Sequence, residues 1–226
     1  QPEEEAAKAP NDPNAQGRKK HAGDAIFEDV NNDGQLDSKD MKFMGYIRPD
    51  KVGGIVNSFK YKGLTVRVVM DWAMGHVIDN GFKGQIMGSS RNNNNAIKDA
   101  MTNSWQSAND GTKYPKYTVQ SDYDYQYRNH MRWDNQIGSS ESGSTNNSLY
   151  FSKGDYLAFR EVSLSYMLPS TWVRKIRLSG VEVFAGAYNI GYIKKYDGMF
   201  PEIYTGVDYG VYPRPRQYNM GVKINF

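Results

Sequence analysis

The chain has 226 residues, a formal net charge of +3 and a hydrophobic content of 38%. No run approaches the ~20 apolar residues of a spanning helix, which excludes a helical membrane protein but not strands that cross a bilayer by alternating in polarity. The basic residues are scattered apart from Arg18-Lys19-Lys20-His21, so there is no nucleic-acid footprint, and the absence of cysteine rules out disulfides and thiolate metal sites.

Residues 1–22 are polar and rich in Pro and Glu, and read as a loop or linker. The chain opens at Gln1 without the basic, apolar and small-residue segments of a secretory signal, so an exported protein is expected to have its true amino terminus upstream. Within 23–52, Asp29, Asn31, Asp33, Asp37 and Asp40 place side-chain oxygens at positions 1, 3, 5, 9 and 12 of a loop, with Gly34 at position 6. Gln35 would add its backbone carbonyl. That is the arrangement of a calcium loop, and a structural calcium ion is expected; an Asx-rich turn without metal is the alternative. The preceding Ile26-Phe27 looks like a strand rather than the entering helix of an EF-hand.

From 53 to 75 the pattern becomes a hairpin with its turn at Lys62-Gly63. Leu64, Val66, Val68, Met70, Trp72 and Met74 fall on one face of the second strand, and Arg67 and Asp71 on the other. Residues 76–148 form a long polar loop with a short helix, capped by Asn95, that shows Ile97, Ala100, Met101 and Trp105 at helical spacing. Trp105, Tyr114, Tyr117, Tyr123, Tyr125 and Trp133 are candidates for stacking on a ligand, although packing of a large loop accounts for them too.

Residues 149–226 carry three more strands. The first, 149–168, needs a bulge, because Leu157 and Phe159 lie on one parity and Val162, Leu164 and Tyr166 on the other. A turn at 169–179, with a helical turn around Trp172, Val173 and Ile176, precedes a strand from Val181 to Asn189. A loop from Ile190 to Tyr209 leads to the last strand, where Tyr218, Met220, Val222, Ile224 and Phe226 share a face. Asn219, Gly221, Ile224 and Phe226 have the spacing of a barrel-insertion signal, though a secreted β-sandwich also ends in amphipathic strands. The fold class is all-β, with about five antiparallel strands whose connections alternate short and long, the pattern of short periplasmic turns and long extracellular loops. Five strands do not close, so further strands are expected from elsewhere. His21, His76 and His130 lack zinc-ligand spacing, Asp122 and Asp124 carry little information as a hydrolase pair, and no catalytic motif appears.

Three segments together resemble the carboxy-terminal part of the SusC/RagA family of TonB-dependent outer-membrane transporters. They are Gly23-Asp-Ala-Ile-Phe-Glu-Asp-Val-Asn-Asn-Asp-Gly34 followed by Gly45, Pro49 and Gly53-Gly54; Ser58-Phe-Lys-Tyr-Lys-Gly-Leu64; and Gly154-Asp-Tyr-Leu-Ala-Phe-Arg-Glu-Val-Ser-Leu-Ser-Tyr-Met-Leu-Pro169 with Asn189-Ile, Lys195-Tyr-Asp-Gly-Met-Phe-Pro-Glu202 and the terminal strand. The family pattern usually has Asp before the Pro of the last loop motif, where this chain has Phe200. The resemblance implies a transmembrane β-barrel of roughly 22 strands, a multi-pass protein in the outer-membrane lipid of Bacteroidetes-type cells. It also implies an upstream plug, an upstream segment that contacts TonB, a SusD-like surface lipoprotein as partner, and oligosaccharides or peptides as substrates. Arg67 and Asp71 would face the lumen. The rival readings are a secreted calcium-dependent glycan-binding or adhesive β-domain and a β-rich glycosidase, against which the apolar stripe of 64–74 argues.

Overall fold

A computed structural model describes residues 3–15, 17–87, 98–108, 111–112, 114–117 and 148–226. Its strands are β1 (Lys51–Tyr61), β2 (Leu64–Met74), β3 (Val77–Asp79), β4 (Phe151–Lys153), β5 (Tyr156–Met167), β6 (Gly180–Lys194) and β7 (Gln217–Asn225). Five of them form one antiparallel sheet in the order β1-β2-β5-β6-β7, and β3 pairs with β4.

The sheet is two-faced because its strands keep period two in register. Val68 lies between Asn57 of β1 and Val162 of β5, Ala187 continues that row into β6, and Tyr218 ends it in β7. The same face carries Phe59, Ile55, Leu64, Val66, Met70, Trp72, Leu164, Tyr166, Val183, Met220, Val222 and Ile224. The opposite face carries Ser58, Thr65, Arg67, Asp71, Glu161, Ser163, Tyr188, Tyr192 and Asn219. An indole covers the gap that a glycine leaves on the apolar face: a Cβ on Gly53 would lie 2.4 Å from the Trp72 ring.

The bulge expected from the parity change sits at Arg160. Phe159 pairs with Met70 and Glu161 with Val69, which leaves Arg160 as the extra residue of β5. Two consecutive charged residues therefore serve the polar face. The β1–β2 turn has Lys62 and Gly63 both at positive φ, +44° and +87°, the twist that a two-residue hairpin requires.

Several boundaries differ from the sequence reading. The strand expected over 149–168 is broken at Gly154-Asp155 into β4 and β5. The strand expected to stop at Asn189 continues to Lys194, because Asn189 takes a left-handed φ of +51° and pairing then resumes at Gly191. A Cβ parity count alone does not reveal such an interruption. The turn holds a short helix, Ser170–Val173, as expected. A helix occurs at Lys98–Thr102 in the long connection; Asn95 and Ile97 lie outside the described residues.

The chain divides into two compact units, one of Gln1–Gly45, Asp79–Ser152 and Thr205–Gly210, the other of Tyr46–Ile78, Lys153–Tyr204 and Val211–Phe226. The second contains the sheet. In the first, the segment read as a linker is packed: Glu3 accepts hydrogen bonds from the Ala22 N–H and contacts the His21 ring, and the Lys20 ammonium is buried 3.6 Å from Asp12 and over the Phe27 ring.

Candidate functional site on the polar face of the sheet

The polar face is organised by two ion pairs made possible by the bulge. β2 presents Arg67 and Asp71, and β5 answers with Glu161 and Arg160 in complementary order. Arg67 Nε lies 3.4 Å from Glu161, which also accepts a 2.7 Å hydrogen bond from Ser163. Arg160 grips Asp71 through Nε and, at 2.8 Å, through Nη2. This fork is bidentate, the geometry in which Arg is strongest. A shallow groove of about 250 Å³ runs along this face beside Ser58, Thr65, Arg67, Ser163, Tyr188 and Asn219.

The third nitrogen of Arg160 reaches a carboxylate that sequence reading missed. Glu202, in the connection between β6 and β7, has a side chain 0% exposed. A buried carboxylate is tolerated only if paired and fully hydrogen-bonded. Its Oε1 accepts from Arg160 Nη1 at 2.5 Å and from the Tyr192 hydroxyl at 2.6 Å. Its Oε2 lies 3.1 Å from Arg214 Nη2, an ion pair, and accepts from the Tyr204 hydroxyl at 3.4 Å. Each carboxylate oxygen thus has one guanidinium and one tyrosine hydroxyl beside it. With Asp71 the cluster holds two guanidinium groups and two carboxylates, so it is neutral as a whole. Beside it Tyr192 packs edge-to-face on Tyr156 and on Phe200, with ring centroids 5.9 and 5.8 Å apart.

The Asp29–Asp40 loop folds around its own backbone. Asp29 accepts the N–H groups of Asp33 and Gly34, Asn31 that of Asp33, Asp33 that of Gln35, and Asp40 those of Val30 and Asp37. Backbone hydrogen bonds, the largest from Asp37 and others from Val30 and Asn31, hold the Asp40 carboxyl below the usual range against the opposing effect of desolvation. The Lys39 ammonium stands 3.8 Å from Asp33 and 3.4 Å from Asp37. Among the described residues no group of three or more His, Asp or Glu side chains is placed to hold a metal ion. A cation bound here would compete with the Lys39 ammonium for Asp33 and Asp37.

The aromatic residues singled out in the long connection are divided. Tyr114 is buried, with its hydroxyl donating to Asp99 at 2.8 Å, which turns it away from a ligand. Trp105 is half-buried against Gly23, where a Cβ would meet its ring at 2.4 Å, and Tyr117 is half-buried. Tyr123, Tyr125 and Trp133 lie outside the described residues. At the carboxy end Asn219 and Gly221 are on the polar face, while Ile224 is exposed on the apolar face and Phe226 is 92% exposed.

Comparison with known proteins places these features in context. No family model matches the chain. It is 25% identical over 216 residues to TonB-dependent receptor P3 of Formosa agariphila, covering 90% of this chain and 19% of that protein. TonB-dependent receptor P39 of the same organism is 24% identical over 213 residues, again 90% of this chain and 19% of the relative. TonB-dependent receptor SusC of Bacteroides thetaiotaomicron is 26% identical over 91 residues, 40% of this chain. The chain thus spans about a fifth of the length of the first two curated relatives. Among solved structures, the RagAB peptide transporter aligns with a TM-score of 0.58 at 22% identity, covering 80% of this chain and 17% of that one. The RagAB peptide importer in its open-open state aligns with a TM-score of 0.55 at 20% identity.

Proposed function

We infer that this chain, a homologue of SusC/RagA-family TonB-dependent receptors over most of its length and a match to a fraction of each, supplies five strands of a large outer-membrane β-barrel. Its relatives are receptors and transporters rather than enzymes. The observation that carries the reading is the two-faced sheet. Its strands of 11, 11, 12, 15 and 9 residues are each long enough to cross a bilayer. One face is apolar along β2, β5, β6 and β7 and mixed in β1, where Lys51 and Asn57 share it with Ile55 and Phe59; the other holds ion pairs and hydroxyls that suit a water-filled lumen. The outer edges of β1 and β7 have no partner strand within the five-stranded sheet, and in hydrocarbon they require neighbours from the rest of the polypeptide.

The activity that follows is import of oligosaccharides or peptides together with a SusD-like surface lipoprotein, with a plug and a TonB-contacting segment elsewhere in the full protein. The solved neighbours, a peptide transporter and a peptide importer, favour the peptide arm. Electrophoresis of outer membranes, probed with an antibody against residues 218–226, tests the reading. A band several times larger than 25.7 kDa that moves on heating supports it. A soluble species of 25.7 kDa, absent from membranes, would transfer the chain to the secreted glycan-binding class.

Calcium at Asp29–Asp40 is a separate proposal. The donors are hard oxygens at calcium-loop offsets, and binding is in competition with Lys39. Terbium luminescence on the full protein should rise on Lys39→Ala and vanish on Asp33→Ala. Equal signals from all three proteins would remove calcium from the account.

A further inference from the structure

Residues 195–204 lie within the connection that the sequence reads as a loop, and they are fastened at both ends and in the middle. At the start, Lys195 donates to Asp155 through its ammonium and its backbone N–H, both at 2.9 Å. The Lys194 ammonium caps the carbonyls of Tyr196, at 2.9 Å, and Gly198. In the middle Tyr196, Phe200 and Ile203 are buried with Ile78 against Tyr192. Near the end Glu202 is locked between Arg160, Arg214 and two tyrosine hydroxyls. Segments that move in gating have few buried contacts and exposed hydrogen bonds. This one has the reverse, while Met199 and Tyr204 stay 63% and 80% exposed on it.

We propose that residues 195–204 form a fixed strap across the polar face, that Glu202 is the positioning residue that holds it, and that Met199, on the exposed side of the strap, limits the size of solute passing along it. This rests on the reading of the polar face as a lumen wall. The strap is therefore part of the selectivity of the passage and not a lid that opens. Arg160 links the two, since one guanidinium joins the wall carboxylate Asp71 to the strap carboxylate Glu202.

The test uses the full transporter in cells and two readouts: hydrogen exchange of peptides from 196–204, and depletion by size from a casein digest and a malto-oligosaccharide ladder. In Glu202→Ala, removal of a buried charge partner should accelerate exchange in the strap by about a hundredfold, leaving peptides from β2 and β7 unchanged, and raise the size limit. Met199→Trp, at an exposed position, should leave exchange unchanged and depress depletion of only the larger solutes. Unaltered strap exchange in Glu202→Ala would overturn the positioning role. A normal size profile in Met199→Trp would overturn the selectivity role even if Glu202→Ala fails to assemble. If wild-type cells deplete neither mixture, the transport reading fails, and the exchange measurement still decides whether Glu202 holds the strap.

Discussion

His76, one residue beyond the Gly75 that follows β2, is 5% exposed, and its Nδ1 has no hydrogen-bond partner among the described residues. Its ring fills the space that a side chain at Gly154 would need: a Cβ there would lie 2.3 Å from Nε2. Burial holds the imidazole below its ordinary pKa, against the opposing pull of Asp155 and Asp50. The unfolded chain therefore binds a proton more readily than the folded one near pH 6, so the stabilisation is complete above about pH 6.5 and is lost as pH falls. Asp155 is pushed up by burial but drawn down further by Lys195 and the Gly75 N–H, so its contribution is present above about pH 4 and disappears below it. Acidification should thus loosen the root of the long connection in two stages. Protease cleavage around 76–80, followed from pH 8 to pH 5 in the full protein, should rise in the upper stage, and His76→Phe should flatten that rise. A pH profile shared by wild type and variant would exclude His76 as the source. Gly154→Ala, by contrast, should destabilise at every pH by about 1–3 kcal/mol through overpacking against the ring, measurable as a lower thermal midpoint.

At the scale of elements, strands were legible in the sequence because a half-exposed strand imposes period two on composition. Leu64 to Met74 announced β2 without ambiguity, and the parity change between Phe159 and Val162 announced a bulge. What stayed hidden depends on partners distant in sequence. Nothing local to Glu202 says that its carboxylate meets Arg160, so its segment stood out as a motif of a family loop without a structural role attached to Glu202. Asn189 and Gly191 likewise disguised the continuation of β6. The bulge has a testable consequence. Because Arg160 is the extra residue, removing it keeps Leu157, Phe159, Val162, Leu164 and Tyr166 on one face. Removing Ser163 instead turns Leu164 and Tyr166 to the polar side, since a one-residue slip flips every following side chain. Deletion of Arg160 should still give an assembled barrel, weakened by about 3 kcal/mol or less, because Asp71 is partly solvated and Glu202 keeps Arg214 and two tyrosine hydroxyls. Deletion of Ser163 should abolish heat-modifiable species in the outer membrane. Equal assembly of the two would refute the bulge assignment.

For the whole molecule, the question is what covers the apolar face, and a bilayer and a second packed sheet make different demands on it. A lipid slab is graded with depth. An arginine at its midplane costs ~2–4 kcal/mol and one near the interface ~0–1. A sandwich core has no such gradient along a strand, because burial there follows local packing. Val68 lies midway along β2, and Leu64 lies beside the hairpin turn. Val68→Arg should therefore lower the unfolding free energy of the detergent- or lipid-embedded protein by ~2–4 kcal/mol. Leu64→Arg should lower it by less than about 1 kcal/mol. Thr65→Arg, adjacent in sequence but on the polar face, should be close to neutral because a water-filled lumen solvates it. Denaturant unfolding of the three variants in lipid decides the matter. A steep penalty at position 68 that fades at 64 is the mark of a membrane wall, whereas equal penalties at both, in a protein that needs no detergent, would mean that the apolar face is closed by protein and that the sheet belongs to a secreted domain.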